Sequence, residues 1–354
     1  MENVLVINPG STSTKLAVYS GERQVYETTI RHDVSELEQY ASIIDQFAFR
    51  KQAILNGFHQ QTEVRLEDLN AVIGRGGLMK PIKGGVYLVN DHMLEDLRTA
   101  SRGQHASNLG GVLTREIADQ LGIPALTADP VITDELDDIA RVSGVPQYQR
   151  ASLYHALNQK AVARRAATDL GKTYETSNFV VAHLGGGISV GAHRQGRVVD
   201  TNSALLGDGP FSPERAGKLA LSSMIDLCFS GLSKDEVRRA LTVNAGMSAY
   251  LGTNSGIEVG QRIDAGDRQA AFIYEAMAYN IAKEIGQMAT VLKGEIDQIL
   301  LTGGLAYDDR MVGMIRERVE FLAEIRVFPG ELEMTALAER ALAVLRGEIQ
   351  PQVY

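Results

Sequence analysis

The sequence predicts an α/β protein of two related domains, and three observations carry that reading. Short apolar runs alternate with stretches of helical periodicity from one end of the chain to the other. A three-strand pattern occurs twice: Asn3, Gly10 and Gly21 recur as Asn178, Gly185 and Gly196, at a constant offset of 175 residues. Length supplies the third, since 354 residues exceed twice a typical domain and each half can bury its own core.

Taken in order, residues 4–7 form an apolar run, NPGSTST (8–14) is turn chemistry, and apolar residues resume at 16–19 before Gly21 and a third run near Val25. This describes a strand, loop, strand, turn, strand meander. LNAVIG (69–74) reads as a strand, the stretch from about Gly111 to Leu121 as a helix, PALTADP (124–130) as a strand, and the Ala/Arg-rich 152–170 as a helix. NFVVAHLGGGISVGAHRQGRVVDT (178–201) repeats the meander. Ile273, Met277, Ile281, Ile285, Met288 and Leu292 recur at helical spacing, and DQILLTGG (297–304) is a strand ending in glycines. The Ala-rich TALAERALAVLRG (335–347) makes a last helix whose apolar stripe needs a partner, so it is expected to return to the first domain. The expected domains are 1–135 plus 334–354, and 136–333.

Composition narrows the chemistry. Thirty-five basic against 44 acidic residues give a net charge of -9, which disfavours a broad nucleic-acid or anionic-membrane surface. No run approaches the twenty apolar residues of a membrane span. The opening MENVLVINPG lacks signal-peptide features and the lone Cys228 can form no internal disulfide, so a cytoplasmic location is expected.

Three strand-terminal glycine loops stand out. INPGSTSTK (7–15) joins a buried-type strand to hydroxyls, a glycine and a cation, a composition that suits a polyphosphate through Asn8, Ser11, Ser13 and Lys15. HLGGGIS (183–189) offers His183, Gly185, Gly186 and Gly187, and TGG (302–304) offers Gly303 and Gly304. Walker A, GxGxxG, CxxC and HExxH patterns are absent, so P-loop, Rossmann and zinc-protease readings lose their support.

A duplicated meander with a phosphate loop in each half resembles the actin-like (ribonuclease H-like) ATPases, implying two domains with a nucleotide cleft between them. NPGSTSTK resembles the N-terminal signature of the acetate and butyrate kinases and HLGGGIS their second phosphate loop, with resemblance over essentially the whole chain. It is closer to the butyrate kinases on VIGRGGLMKPIKGGVY (72–87), SRGQHASNLGG (101–111), TADPVITDEL (127–136) and GPFSPERAG (209–217). The resemblance implies a kinase that uses ATP and Mg2+ to make butyryl phosphate reversibly from butyrate, with branched-chain fatty-acid and acetate kinases as sibling readings. It also implies a homodimer or higher homo-oligomer, without nucleic-acid or membrane partners.

By the same resemblance Arg75 binds the carboxylate or phosphoryl oxygens, Asp129 is the catalytic aspartate, and His105, His155 and His183 line the site. Glu333, with Asn8, is the magnesium residue, and Glu331 is its rival. His32, His59, His92 and His193 match nothing and read as surface or packing residues. Two departures matter: Gln159 stands where acetate kinases carry a second histidine, and Gly186 where they carry an asparagine. A second arginine has no clean match, leaving Arg215 and Lys218 as candidates. A sugar- or glycerol-type kinase would use Asp129 as a base toward a hydroxyl. A non-metabolic actin-like ATPase would use its nucleotide to drive assembly.

Overall fold

Val4, Leu5, Val6 and Ile7 are all fully buried in the strand Asn3–Pro9 (β1), as a continuous apolar run in a strand covered on both faces should be. In the computed structural model, which describes residues 1–61, 64–205 and 208–354, β1 lies in the first of two units, formed by residues 1–133 and 332–354. Residues 134–331 form the second. Both limits fall two residues before those expected from sequence, which puts Glu135 in the second unit and Glu333 in the first. The contacts explain it: Glu135 accepts from Lys160 Nζ and Val198 N, whereas Glu333 accepts from Asn8.

Among the described residues, the first unit is built on a seven-stranded sheet. Its meander is β1, β2 (Ser13–Ser20) and β3 (Arg23–Arg31), all antiparallel. β4 (Ala71–Gly74) pairs in parallel with β1, and β6 (Ala125–Ala128) in parallel with β4. β5 (Val86–Leu88) adds antiparallel to β6, and the two-residue β12 (Gln352–Val353) closes the edge against β5. The helices Asn108–Leu121 and Glu333–Leu345 pack on β1, β4 and β6. In the latter, Ala336, Ala338, Ala341 and Ala343 are buried, small side chains that allow close approach to the sheet.

The second unit repeats the plan with β7 (Asn178–Leu184), β8 (Ile188–Arg194) and β9 (Arg197–Thr201) as its meander. β10 (Gln298–Gly303) joins β7 in parallel, and β11 (Ile325–Pro329) joins β10. β7 and β8 begin 175 residues after β1 and β2, at 178 against 3 and 188 against 13. Each second hairpin also carries one register shift, at Val18/Tyr19 and at Ala192/His193. The helix Arg268–Val291 buries Ile273, Met277, Ile281, Ile285 and Met288 and packs on β7, β8 and β9. Ala156–Asp169 packs on β7 and β10.

Sequence patterns assign no elements to residues 218–264. There the helices Leu221–Cys228, Lys234–Thr242, Gly246–Leu251 and Gly256–Asp264 form. Leu221–Cys228 buries none of its residues: Leu221 is 82% and Ile225 58% exposed, and Phe229, just beyond it, 86%. Among the described residues no helix is long and apolar enough to cross a membrane.

Candidate active site

In the first unit the parallel strands bring their carboxyl ends together, with Ile7 opposite Gly74 and Gly74 opposite Thr127. The carboxyl edge of a parallel sheet is where α/β folds bind ligands. Asn8 is the next residue of β1, Arg75 follows β4, and Asp129 follows β6. Glu333 opens its helix and reaches this edge, 5% exposed. Its Oε2 accepts from Asn8 Nδ2 at 2.7 Å and from Arg75 Nη1 at 3.2 Å. The structure therefore groups Asn8, Arg75 and Glu333. Glu331 lies elsewhere, its Oε1 3.7 Å from His183 Nε2 in the second unit.

The loop carrying Arg75 needs its glycines for room. A Cβ on Gly77 would lie 2.5 Å from Asn108 Cα, and one on Gly110 would lie 2.0 Å from the Arg75 carbonyl oxygen. The start of the helix Asn108–Leu121 thus seats the arginine loop directly. His105, exposed on the turn entering that helix, bonds Ser107 Oγ through Nδ1 at 2.7 Å. Asp129 is 1% exposed and adopts φ 39°, a left-handed conformation that aspartate tolerates better than most residues. Its Oδ1 accepts from Gly85 N at 2.8 Å, and its own N–H donates to Gly85 O at 3.0 Å.

The loop after β1 turns at Gly10, whose N–H donates to Ser13 O at 2.8 Å. Ser11 and Thr12 are exposed and Ser13 half-buried. Lys15 is exposed on β2 directly opposite Asn8, so both side chains leave the same face of the sheet.

The second unit holds the other predicted residues. Gly185, Gly186 and Gly187 make the turn between β7 and β8. The rings of His155 and His183 stack at 3.7 Å with an interplanar angle of 10°. Asn158 Nδ2 donates to His183 Nδ1 at 2.9 Å and to Thr302 Oγ1 at 3.1 Å, and Thr302 Oγ1 in turn donates to Gly330 O. With Nδ1 accepting, His183 carries its proton on Nε2.

A longer chain of bonds orients His155. Gln159 Nε2 donates to Ser189 O at 3.0 Å, an acceptor only, which fixes the amide orientation. Its Oε1 then accepts from His193 Nε2 at 3.0 Å, and His193 Nδ1 accepts from the Tyr174 hydroxyl at 2.8 Å. Burial, with the Lys160 and Arg164 charges, holds the His193 pKa well below the usual histidine range, so the ring is neutral and has one proton to give. Ser189 Oγ accepts from Gln159 Nε2 at 2.8 Å and from His155 N at 3.4 Å, which uses both its lone pairs and leaves its own proton for His155 Nδ1, at 2.8 Å. His155 is left, like His183, as an Nε2–H donor. Gln159, Ser189, Asn158 and the buried His193 are thus parts of the site's support that motif reading did not assign.

Arg215 lies against the glycine turn. A Cβ on Gly187 would fall 1.8 Å from Arg215 Nη1, which donates to Ala204 O. Lys218 instead bonds Glu284 Oε2 at 2.7 Å and Gln287 Oε1 at 3.0 Å. Of the two candidates left open by sequence, Arg215 is the one on the loop.

A cavity of about 610 Å3 in the second unit joins Gly185 and Gly186 to Gly304. Leu305 and Ile257 supply apolar walls, and the helix Gly256–Asp264 begins beside it, with Ser255 Oγ accepting from Glu258 N. Tyr274 donates to Asp308 Oδ2 at 2.6 Å, and burial raises its pKa so that it stays protonated. Gly303, at φ 92°, ends β10 so close to β7 that a Cβ would meet Leu184 O at 2.5 Å. Two of the three predicted glycine loops therefore border one cavity.

The fold has counterparts among known structures. The chain is similar to the solved acetate kinase of Porphyromonas gingivalis, at 17% identity and TM-score 0.80, covering 98% of this chain and 100% of that one. It is similar to a propionate kinase of Francisella tularensis, at 20% identity and TM-score 0.74, covering 96% and 99%. It is also similar to the acetate kinase of Entamoeba histolytica, at 15% identity and TM-score 0.75, covering 98% and 100%. At these identities the likeness establishes the fold, the α/β two-sheet actin-like ATPase fold. The family model of the acetokinases matches residues 143–334, more than half of the chain. The chain belongs to the acetokinase family of carboxylate kinases.

Proposed function

We propose that the protein is a butyrate kinase, transferring the γ-phosphoryl group of ATP to butyrate and running reversibly from butyryl phosphate and ADP. The observation that carries the reading is the grouping of Arg75 with Asn8 and Glu333 at the carboxyl ends of β1 and β4. Arg75 offers a planar fork for a carboxylate, an anion that a hydroxyl-phosphorylating kinase would have no need to hold. The four long segments that resemble butyrate kinases favour butyrate as the acyl substrate.

A carboxylate is already ionised at neutral pH, so no base has to remove a proton. One of its oxygens attacks the γ-phosphorus, the new C–O–P linkage forms, and the bond to the ADP oxygen breaks with its electron pair leaving on ADP. Arg75 binds and orients the acyl carboxylate. Asp129, fixed by its two bonds to Gly85, positions groups around the transferred phosphoryl. His155 and His183 direct Nε2–H donors to phosphoryl oxygens, with His105 a further donor, and Arg215 and Lys15 add charge where it accumulates. Ser11 and Ser13 of the first unit, and Gly185, Gly186, Gly187, Gly303 and Gly304 of the second, offer donors to phosphate oxygens, and the 610 Å3 cavity of the second unit takes the adenosine.

Asn8 and Glu333 present the oxygen donors a hard cation prefers, and magnesium characteristically takes only one or two such groups beside substrate phosphates. They would hold Mg2+, which supplies charge neutralisation at the phosphoryl group. The exposed stripe of Leu221, Ile225 and Phe229 fits burial against a second copy of the chain, and sedimentation of a Phe229→Asp variant as monomer beside a wild-type dimer tests that.

An acyl-hydroxamate assay with ATP, magnesium and acids from acetate to isovalerate tests the substrate. Highest kcat/KM on butyrate is expected. Turnover of glycerol without any hydroxamate product would overturn the reading.

A further inference from the structure

Arg50 lies in the helix Phe47–Gln61 and is fully buried, 0% exposed. Among the described residues no carboxylate pairs with it. Its donors go instead to the loop that follows β1. Nη1 donates to Gly10 O at 2.8 Å, to Ser13 O at 3.1 Å and to Thr14 Oγ1 at 3.2 Å; Nη2 donates to Ser11 O at 2.8 Å; and Nε is anchored on Gln46 Oε1 at 3.0 Å. A buried guanidinium costs heavily in desolvation unless an anion offsets it. Neutral carbonyls satisfy its hydrogen bonds and leave its charge uncancelled. Its neighbour His32, which bonds Thr14 Oγ1 at 2.9 Å, is held neutral by burial and by Arg50 itself, with a pKa lowered to about 4. The loop therefore has one positive charge directly behind it.

Peptide geometry then dictates what the loop shows to its other side. In a trans peptide the carbonyl and the following N–H point in opposite directions, and among the described residues no peptide bond is cis. With Gly10 O and Ser11 O turned toward Arg50, the N–H groups of Ser11 and Thr12 turn away from it, into solvent. Among the described residues neither N–H donates to another group of the chain. Adjacent outward N–H groups backed by a cation make an anion-binding concavity.

We propose that Arg50 is a positioning residue for phosphoryl binding: it turns the loop's carbonyls inward, so that the Ser11 and Thr12 N–H groups face a phosphoryl group of the nucleotide, whose negative charge offsets the buried guanidinium. This rests on the reading of residues 8–15 as a phosphate loop. Arg50 touches no substrate and acts through the backbone it holds.

The test measures binding of ATP and of adenosine to wild type and to Arg50→Lys, which keeps the charge but cannot fork across three carbonyls. Gln46→Met, which removes only the Nε anchor, is the milder second variant. Expected are about tenfold weaker ATP binding for Arg50→Lys and about threefold for Gln46→Met, with adenosine binding and the KM for the carboxylate unchanged. A purely structural role would lower thermal stability and leave the ATP-to-adenosine ratio alone. Wild-type ATP affinity in a folded Arg50→Lys protein overturns the proposal, and if that variant does not fold, wild-type ATP affinity in Gln46→Met overturns it. A wild-type protein that binds ATP no better than adenosine would instead refute the phosphate-loop reading beneath it.

Discussion

Gly110 and Gly313 both lie within helices, Asn108–Leu121 and Asp309–Val319, and alanine at either should favour the helix by roughly 1 kcal/mol. Their surroundings differ. A Cβ at position 313 meets nothing within 4 Å, whereas at 110 it would sit 2.0 Å from the Arg75 carbonyl oxygen. Relief to ordinary contact requires the arginine loop to retreat by roughly 1 Å or more, an overpacking cost of about 1–3 kcal/mol that cancels or outweighs the helical gain. The same retreat draws Arg75 away from Glu333, now 3.2 Å distant. Misplacement on that scale costs on the order of 100-fold in rate. Urea unfolding should show Gly313→Ala stabilised by roughly 0.5–1 kcal/mol and Gly110→Ala unchanged or destabilised. Hydroxamate assays should show Gly313→Ala at wild-type activity and Gly110→Ala with kcat/KM for the carboxylate down about 100-fold. If Gly110→Ala gains the same stability as Gly313→Ala and keeps its activity, this helix does not seat the Arg75 loop.

Three further outcomes are expected. His32 and His193 are both neutral in the fold, their pKa values depressed by burial and neighbouring cations, and both titrate near 6.5 when unfolded. Unfolding therefore takes up protons in acid, so both contributions are complete above about pH 6.5 and fall as pH drops below it, that of His32 being lost toward pH 4. Stability in urea should be lower at pH 5 than at pH 7.5, by roughly 2 kcal/mol from His32 alone, with His193 acting in the same direction, and His32→Gln should remove the His32 share. Gln159→Leu should lower kcat about tenfold, the size expected when an imidazole loses the support that sets its tautomer, with little change in KM for ATP; an unchanged kcat would exclude the bond chain as the device that orients His155. Glu333→Gln keeps an acceptor for Asn8 and Arg75 but loses the charge, so half-saturation by magnesium should rise several-fold. An unchanged magnesium requirement would remove Glu333 from the metal residues.

Much of the sheet was legible because its strands are apolar runs ending in glycine. β1 and β7 are the clearest, sharing an internal offset that survives in their starting residues. β5 and β12 escaped notice because three and two residues carry no period, and only pairing with a longer neighbour makes them strands. The helices of residues 218–264 were missed for another reason: each is only six to nine residues long, too short for a helical period to repeat convincingly. The union of Asn8 with Glu333, 325 residues apart, follows from no local pattern and was reached through family resemblance. Arg50 was invisible because a basic residue beside Lys51 in a helix reads as a solvated face. Arg215 and Lys218 were separable only once the space at Gly187 was known.

The return of the last residues to the first sheet has a consequence for how the chain is made. Residues 134–331 are contiguous, so that unit has everything it needs before the helix Glu333–Leu345 exists. At about 5–20 residues per second, a ribosome leaves the earlier segment waiting roughly 10–40 s for its closing helix. Through that interval β1, β4 and β6 lack one of their two covering layers. The part encoded later is thus free to finish first, and the earlier part must keep a row of valines, leucines and isoleucines from straying until residues 333–345 emerge.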